Sequence, residues 1–327
     1  MHTSYLLSAL VGLAVTATGA PTDNLKKRES RTSAPSGCLT VGSDGTYSTV
    51  GDALDALGSS TSSACIYIAS GTYEEQVTID YAGNLTIYGE TTDTGTYKDN
   101  VVTITHTISS EDAGSLDKSA TVNVVSDGFS MYNVNVENGY GKGEQAVALV
   151  ANADELAFYG CQFIGYQDTL YVKAGTQYYS KCMIEGAVDY IFGDASVWFG
   201  DCDIVSNGAG AITASSRETA SDSGWYAIDN CNIKAASGVS LTEQVYLGRP
   251  WRVLARVIYQ NSVLSDIINP KGWTTMAEGA TPLYYEYNNS GAGSSTSERE
   301  YESSISAAVD MTTVLGSTWG DWIDRSY

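Results

Sequence analysis

The chain of 327 residues carries 17 Lys and Arg against 38 Asp and Glu, which gives a formal net charge of −21 at pH 7. This acid excess argues against nucleic acid and against an anionic membrane surface as partners, because both attract clustered Lys and Arg. The chain has only two histidines, His2 and His106, which excludes a metal site built on several His ligands. His106 lies in an alternating run that predicts an ordinary strand.

The N-terminal residues indicate a secreted protein. Residues 1–20 are typical of a signal peptide, with an apolar stretch followed by small residues. Residues 21–36 predict either a short pro-segment, cut after Arg28 at the end of a basic cluster, or a disordered polar N-terminus. No later stretch is long enough to span a bilayer. We expect one domain over residues 37–327, extracellular and monomeric.

The cysteines and two sequons fit an oxidising, secretory route. Asn84 and Asn288 each begin an N-glycosylation sequon. The six cysteines are an even number, and Cys38 and Cys65 are predicted to form a disulfide. The other four belong to a repeat.

Short alternating segments recur along the chain, each centred on one small or apolar residue. These anchors lie at positions 134, 161, 182, 202, 231 and 262, so that the spacing runs from 20 to 31 residues. A β repeat of this length is the signature of a solenoid, here an all-β fold with a single parallel β-helix. Equivalent inward positions stack in such a fold, which predicts an internal ladder of Cys161, Cys182, Cys202 and Cys231. Whether Cys182 and Cys202 are joined by a disulfide is not decided by the sequence.

Both ends of a solenoid need a cover. Residues 48–57 carry apolar side chains at helical spacing and predict a short N-terminal capping helix. Residues 298–327 mix helical pattern with aromatic side chains, and we expect this tail to pack back along the coils.

Polar clusters interrupt the apolar segments at the same period. Gln145 and Gln167 are 22 residues apart, and Asp168 and Asp189 are 21 apart. In a solenoid of that period the two acids lie on successive coils, about 4.8 Å apart. Two carboxyl groups at such a short distance push each other's pKa values apart, so that one is an acid and the other a base or nucleophile.

The residues around this pair suit ester or sugar chemistry. Arg249 beside one acid would keep that acid charged, and the two Gln amides would donate hydrogen bonds without adding charge. Trp251 offers a flat apolar face for a sugar ring. An isolated Asp or Gln would be an ordinary turn or ladder residue, but their conjunction at one register favours a site.

Several ordered motifs resemble those of the pectin methylesterases. Residues 184–193 (IEGAVDYIFG) are similar to the nucleophile signature of that family, and residues 71–75 (GTYEE) to its early G-x-Y-x-E motif. Residues 145–149, 167–170 and 247–251 resemble its remaining site motifs, and the low pI and predicted pro-segment are most similar to the fungal members. Two departures are Ser70, where the family often has Pro, and residues 215–217 (SSR), where it often has Gln.

The resemblance implies a right-handed parallel β-helix that hydrolyses the galacturonic acid methyl esters of pectin without metal or cofactor. It implies that Asp189 is the nucleophile, oriented by Arg249, and that Asp168 is the proton donor and then the base. It also implies that Gln167, helped by Gln145, stabilises the oxyanion. Candidate substrate-binding residues are Trp251, Arg249, Gln145 and Tyr190, with Phe192 either in the sugar groove or in the core.

Three other functions stay open from the residues alone. A glycosidase or lyase on a similar solenoid could use paired acids or a basic residue. A carbohydrate-binding solenoid would retain the polysaccharide without releasing methanol, and a purely structural solenoid would do neither.

Overall fold

The computed structural model describes residues 29–327, so that the predicted signal peptide and the predicted pro-segment up to Arg28 lie outside the described residues. The strands in chain order are β1 Leu39–Val41, β2 Ala64–Ile68, β3 Gly71–Glu74, β4 Val77–Ile79, β5 Leu85–Gly89, β6 Val102–His106, β7 Val122–Val124, β8 Ser130–Tyr132, β9 Asn135–Asn138, β10 Leu149–Asn152, β11 Leu156–Tyr159, β12 Gln162–Ile164, β13 Leu170–Ala174, β14 Thr176–Ser180, β15 Met183–Gly186, β16 Ile191–Gly193, β17 Ser196–Gly200, β18 Asp203–Ser206, β19 Gly210–Ser215, β20 Trp225–Asp229, β21 Asn232–Ala235, β22 Val245–Gly248, β23 Arg256–Gln260, β24 Val263–Leu264 and β25 Leu283–Tyr287. The helices are α1 Val50–Leu57, α2 Ser110–Ala113, α3 Leu116–Ser119, α4 Met311–Leu315 and α5 Trp319–Trp322.

In residues 29–327 these strands form three sheets in which the paired strands are parallel. Sheet A has the order β1-β2-β5-β8-β11-β14-β17-β20-β23-β25, sheet B the order β22-β19-β16-β13-β10-β7-β4, and sheet C the order β24-β21-β18-β15-β12-β9-β6-β3. Successive coils add one strand to each sheet, as β11, β12 and β13 do. The all-β parallel β-helix predicted from the repeat is confirmed.

A left-handed residue turns the chain from sheet A into sheet C. It stands immediately before each anchor, with φ between 52° and 57°, at Asn133, Gly160, Lys181, Asp201, Asn230 and Asn261. This conformation is unfavourable for most L-residues but is tolerated by Gly, Asn and Asp, which occupy five of these six positions. The preference for Gly, Asn or Asp before an anchor therefore has a backbone cause.

The interior of the coils contains the predicted cysteine ladder. Cys161, Cys182, Cys202 and Cys231 are buried and carry no disulfide. The N–H of Cys161 donates to Sγ of Cys182 at 3.4 Å. The ladder is therefore confirmed, and Cys182 and Cys202 pack as small apolar residues rather than bridging. The predicted disulfide between Cys38 and Cys65 is present.

Helix α1 covers the first coils, in contact with β1, β2 and β4. It buries Val50 and Ala53. The carboxylate of Glu75 accepts hydrogen bonds from the N–H groups of Val50 and Gly51, at 2.9 and 3.0 Å. Glu75 is the last residue of the G-x-Y-x-E motif. Its role in the structure is thus to satisfy the open N-terminus of this helix.

The C-terminal tail packs along the outer face of sheet A, as predicted. Val314, Leu315 and Ile323 form an apolar cluster with side chains of that sheet, namely Ala157, Tyr159, Tyr178, Trp198, Ala227 and Ile258. Helix α4 contacts β17 and β20. No helix within residues 29–327 combines the length and the apolar character needed to cross a bilayer.

Residues 29–36, which the sequence assigns to a pro-segment or a disordered terminus, lie against the domain. Arg31 and Thr91 exchange two backbone hydrogen bonds of 2.8 and 3.0 Å. Backbone hydrogen bonds therefore join this segment to the loop after β5.

Candidate active site

The loops that flank the strands of sheet B carry the polar residues predicted from the spacing. Gln167 and Asp168 precede β13, Asp189 precedes β16, and Arg249 directly follows β22. Leu170 pairs with Ile191 across these strands, so that Asp168 and Asp189, each two residues earlier, hold the same register on neighbouring coils. The N–H of Asp168 donates to the carbonyl of Val188 at 3.0 Å, which joins the two loops directly.

Both acids stand in a left-handed backbone conformation. Asp168 has φ 62° and Asp189 has φ 50°. They are 4% and 6% exposed. Aspartate tolerates such φ values better than larger residues do. Strained and nearly buried acids of this kind concentrate at functional sites.

Arg249 binds one acid of the pair and not the other. Its Nε donates to Oδ1 of Asp189 at 2.8 Å, and its Nη2 donates to Oδ2 at 2.6 Å. This two-point geometry is the strong form of an arginine–carboxylate pair. Hydrogen bonding to Asp189 raises the pKa of the Arg249 guanidinium above its ordinary value. Asp189 is thereby fixed in place as a carboxylate.

Asp168 has a different environment. Burial, followed by the neighbouring charge of Asp189, raises the pKa of Asp168 to about 8. Opposing this rise, Nε2 of Gln145 donates to Oδ2 of Asp168 at 3.0 Å, and the charge of Arg249 also lowers the pKa. Asp168 is therefore protonated at neutral pH beside a charged Asp189, which is the division of roles that acid–base chemistry on paired carboxyls needs.

The two glutamines differ in their partners. Gln145 is exposed, bonded to Asp168 through its amide nitrogen and 3.4 Å from the Ser110 hydroxyl through Oε1. The side chain of Gln167 is partly exposed and makes no hydrogen bond to any part of the chain that the structure describes. Within residues 29–327 both N–H groups of the Gln167 amide are thus without a partner.

An aromatic group borders the acids on the outer face of sheet B. Tyr171 and Phe192 are stacked with ring centroids 4.3 Å apart. The partly exposed ring of Trp251 lies 5.9 Å from Phe192 and 6.4 Å from Tyr171. The sequence reasoning missed Tyr171. The signal was present, because Tyr171 stands three residues after Asp168, as Phe192 stands three residues after Asp189.

Tyr190 does not belong to this group, and its prediction as a substrate-binding residue is wrong. It is fully buried in the interior of the coils, and its hydroxyl is 3.0 Å from that of Ser206. Strand alternation would put Tyr190 and Phe192 on one face, but β16 begins only at Ile191, so that Tyr190 still belongs to the loop of Asp189 and is not bound by this rule. Asp189 is on the loop, Tyr190 turns inward, and Phe192 faces the outer side.

Arg217, at the family departure noted in the sequence, is a structural residue. It is 5% exposed. Its guanidinium donates to the carbonyls of Ala220, Asp222 and Leu254, at 3.0, 2.9 and 3.0 Å. It therefore ties its own loop to the loop that follows Trp251.

No group of three or more His, Cys, Asp or Glu side chains within residues 29–327 is placed to hold a metal ion. The arrangement offers instead a charged carboxylate, a protonated carboxyl group and amide donors around one small space, which suits attack on a carbonyl group.

The family model described as Pectinesterase matches residues 38–326. The chain belongs to the pectinesterase family. Members of this family are carboxylic ester hydrolases that demethylate pectin, and the chain is an enzyme of this kind.

Individual members of the family agree with this assignment. Probable pectinesterase A from Aspergillus niger is 90% identical over 327 residues, which cover 100% of each chain. The crystal structure of the deglycosylated pectin methylesterase from Aspergillus niger is 92% identical with a TM-score of 0.91, over 91% of this chain and 100% of that one. A second crystal structure, of the penultimately deglycosylated form of that enzyme, retains an N-acetylglucosamine stub at Asn84. The pectin methylesterase from carrot is 30% identical with a TM-score of 0.79, over 88% of this chain and 96% of that one.

Proposed function

We propose that this pectinesterase removes the methyl groups of homogalacturonan through a covalent acyl-enzyme on Asp189. The observation that carries the proposal is the asymmetry of the two acids. Asp189 is held as a carboxylate by two hydrogen bonds from Arg249, whereas the raised pKa of Asp168, about 8, keeps that residue protonated at neutral pH. One acid is thus a nucleophile and its neighbour is a proton donor.

In the first half of the reaction an oxygen of Asp189 attacks the ester carbonyl carbon. A new C–O bond forms, and the carbonyl oxygen takes the negative charge. The N–H groups of Gln167 donate to this oxyanion, with the second N–H of Gln145 beside them. The C–O bond to the methoxy group then breaks, and Asp168 gives its proton to the leaving methanol.

In the second half water hydrolyses the acyl-enzyme. Asp168, now a carboxylate, takes a proton from the water as it attacks the acyl carbon. The bond to Asp189 breaks, which restores both acids and releases the product as galacturonic acid, and that acid then loses its proton to the solvent. Each cycle consumes one water and releases one methanol, and no cofactor enters this scheme.

The sugar chain is proposed to lie along the outer face of sheet B. The ring of Trp251 is partly exposed and lies 5.9 Å from that of Phe192, which suits contact with the apolar face of a galacturonate unit. Gln145 and Arg249 border the same space and would contact the reacting unit. Tyr171 is added to the proposed sugar-binding residues because it contacts Phe192, and Tyr190 is removed from them because it is buried.

Methanol release from methylated polygalacturonate tests the assignment of the nucleophile. Asp189→Asn keeps the shape of the side chain and removes its charge, so that turnover should be lost while the far-UV spectrum is retained. Asp80→Asn is a matched control, because Asp80 is exposed. Near-normal turnover by Asp189→Asn would contradict the nucleophile assignment, and new reducing ends or unsaturated products would indicate a glycosidase or lyase instead.

The acyl-enzyme itself can be tested with hydroxylamine as a second acceptor. A common covalent intermediate predicts that hydroxamate forms at the expense of pectate. If acylation limits turnover, the rate of methanol release should not change. If water attacked the ester directly, hydroxamate could form only by direct attack of hydroxylamine on the ester. The rate of methanol release would then rise with hydroxylamine concentration, in proportion to the hydroxamate formed.

The cellular setting is proposed from the sequence and the relatives together. The enzyme would be a secreted, extracellular monomer with one domain from residue 37 onward and no nucleic acid or membrane partner. Asn84 and Asn288 are exposed and would carry the N-glycans. The stub at Asn84 of the Aspergillus niger enzyme supports the first of them. Peptide mass mapping after enzymatic deglycosylation would test both.

A further inference from the structure

A polar side chain from a later coil holds the turn that carries Gln167. Asn207 directly follows β18 and is partly buried. Its Nδ2 donates to the carbonyl of Gly165 at 3.0 Å and to Oε1 of Glu185 at 3.1 Å. Gly165 follows β12, Glu185 lies in β15 and Asn207 follows β18, so that one amide joins three successive coils of sheet C.

The chemistry of these partners fixes the orientation of the Asn207 amide. A backbone carbonyl and a carboxylate only accept hydrogen bonds, so that Nδ2 and not Oδ1 must face them. Oδ1 of Asn207 is buried and has no hydrogen-bond partner within residues 29–327. A buried oxygen without a partner lowers stability. Asn207 is thus not optimised for stability alone, and such departures are expected where a residue serves a function.

The backbone of the turn is also fastened to the coil that follows it. The carbonyl of Tyr166 accepts hydrogen bonds from two N–H groups of the next coil, at 2.6 and 3.2 Å. The N–H of Gly165 donates to the carbonyl of Glu185 at 3.2 Å. Asn207 extends this attachment to the coil beyond, through the carbonyl of Gly165.

Gln167 depends on this backbone more than Asp168 does. Asp168 has bonds of its own, because its N–H donates to the carbonyl of Val188 and its carboxyl group accepts from Gln145, both at 3.0 Å. The side chain of Gln167 makes no hydrogen bond within residues 29–327. The position of the Gln167 amide is therefore set by the backbone of the turn.

We propose that Asn207 is a positioning residue for the oxyanion step. Its amide holds the carbonyl of Gly165, two residues before Gln167, and thereby places the N–H groups of Gln167 at the ester carbonyl oxygen. This role rests on the proposed function, in which Gln167 stabilises the oxyanion. Asn207 itself does not touch the reacting atoms. Because a displacement of about 1 Å can cost about 10²-fold in rate, a single lost tie in the turn is enough to affect catalysis.

Asn207→Ala tests the proposal by methanol release from methylated polygalacturonate. It should lower kcat by about tenfold and leave KM within about twofold, because the oxyanion contact strengthens in the transition state and not in substrate binding. The matched control is Asn232→Ala, which removes an amide tie of 3.2 Å to Asp203 at the start of β21 and should keep the wild-type kcat. A wild-type kcat in Asn207→Ala, or a loss that appears in KM alone, overturns the proposal.

A double-mutant cycle shows whether the effect passes through Gln167. Gln167→Ala should lower kcat by about 10²-fold, and adding Asn207→Ala should then change kcat by less than about twofold. Two losses that multiply would mean that Asn207 acts independently of Gln167, and they overturn the proposal while the proposed function stands. An unchanged kcat in Gln167→Ala alone would instead refute the oxyanion role itself, and with it the role of Asn207.

Circular dichroism and thermal unfolding accompany each variant. Where Asn207→Ala does not fold, Asn207→Leu keeps most of the side-chain volume and removes the donor, so that the same loss of kcat is expected. Failure of both variants to fold would show that Asn207 serves the fold and not the positioning of Gln167, and overturns the proposal.

Discussion

Gln145 donates a hydrogen bond of 3.0 Å from its amide nitrogen to Oδ2 of Asp168. This contact lowers the pKa of Asp168 against the larger effects of burial and of Asp189. The glutamine thus adjusts the proton donor as well as bordering the proposed oxyanion position.

Gln145→Ala should therefore change the pH profile as well as the rate. Without the hydrogen bond the pKa of Asp168 rises, and the alkaline limb of kcat moves to higher pH. The maximal rate should fall by roughly 10²-fold if the second N–H also stabilises the oxyanion. Methanol release measured across pH would show both effects. Gln244→Ala, at an exposed glutamine, is the control, and an unmoved alkaline limb would contradict this role.

Wild-type turnover should fall as pH rises through about 8. Asp168 must be protonated to release methanol, and its pKa is raised to about 8. The rate should be nearly constant on the neutral side of this value and lose about tenfold per pH unit well above it. The measurement is kcat at saturating pectin from pH 6 to 9.5, corrected for uncatalysed ester hydrolysis. A rate that still increases above pH 9 would exclude a protonated Asp168 as the donor.

Asp168→Asn should make the folded protein more stable at neutral pH. The native Asp168 keeps its proton up to about pH 8, whereas an unfolded aspartate loses it near pH 4. Between these values the native state binds more protons, so that the wild-type free energy of unfolding decreases as pH rises. Asp168→Asn has no ionisable group at this position, so that its free energy of unfolding does not decrease in this way. Urea unfolding gives the free energy of unfolding of Asp168→Asn and of the wild type, and the difference between them should be larger at pH 7.5 than at pH 4.5. An equal difference at both pH values would show that the proton on Asp168 does not contribute to stability.

Arg249→Lys should lose most activity, by about 10²-fold or more in kcat. A lysine has the charge but cannot donate to both oxygens of Asp189 in the fixed fork that the guanidinium provides. The control is Arg325→Lys, at an exposed residue of the C-terminal tail. An unchanged kcat for Arg249→Lys would show that orientation of Asp189 does not depend on the bidentate contact.

A buried ion pair supports the segment behind Arg249. Glu286 and Arg299 are 2% and 1% exposed, with Nε to Oε1 at 2.7 Å, and Trp273 Nε1 also donates to Glu286. Trp273 in turn bridges to Gly248, the residue before Arg249.

Glu286→Ala should lower the free energy of unfolding by about 3–5 kcal/mol, because it leaves a buried guanidinium without its counter-charge. Urea unfolding measures this loss. Replacing both residues, by Leu and Met, should recover part of it. Lys271→Ala, which removes an exposed pair with Glu300, is the control and should change stability little. A small loss for Glu286→Ala would mean that the Arg299 site is hydrated.

Local chemistry made much of the fold predictable. The left-handed position before each anchor favours Gly, Asn or Asp, and the interior ladder favours small apolar side chains such as Cys161, so that both residue types recur from coil to coil. The same periodicity placed Asp168 and Asp189 together. The sequence did not separate Tyr190 from Phe192, because which of two nearby aromatic residues turns inward depends on the local pleat and on where the strand starts.

The amino-acid sequence by itself determined the solenoid, its period and the meeting of the two acids, because these follow from short-range backbone preferences repeated at a fixed spacing. Residue spacing left open which acid Arg249 binds, the family resemblance implied Asp189, and the tertiary structure shows the contact. Only the tertiary structure decided that Tyr171 joins the aromatic group and that Glu286 and Arg299 form a buried pair. These contacts join residues far apart in the chain, and their energies depend on burial and distance. The order of residues does not encode either quantity locally.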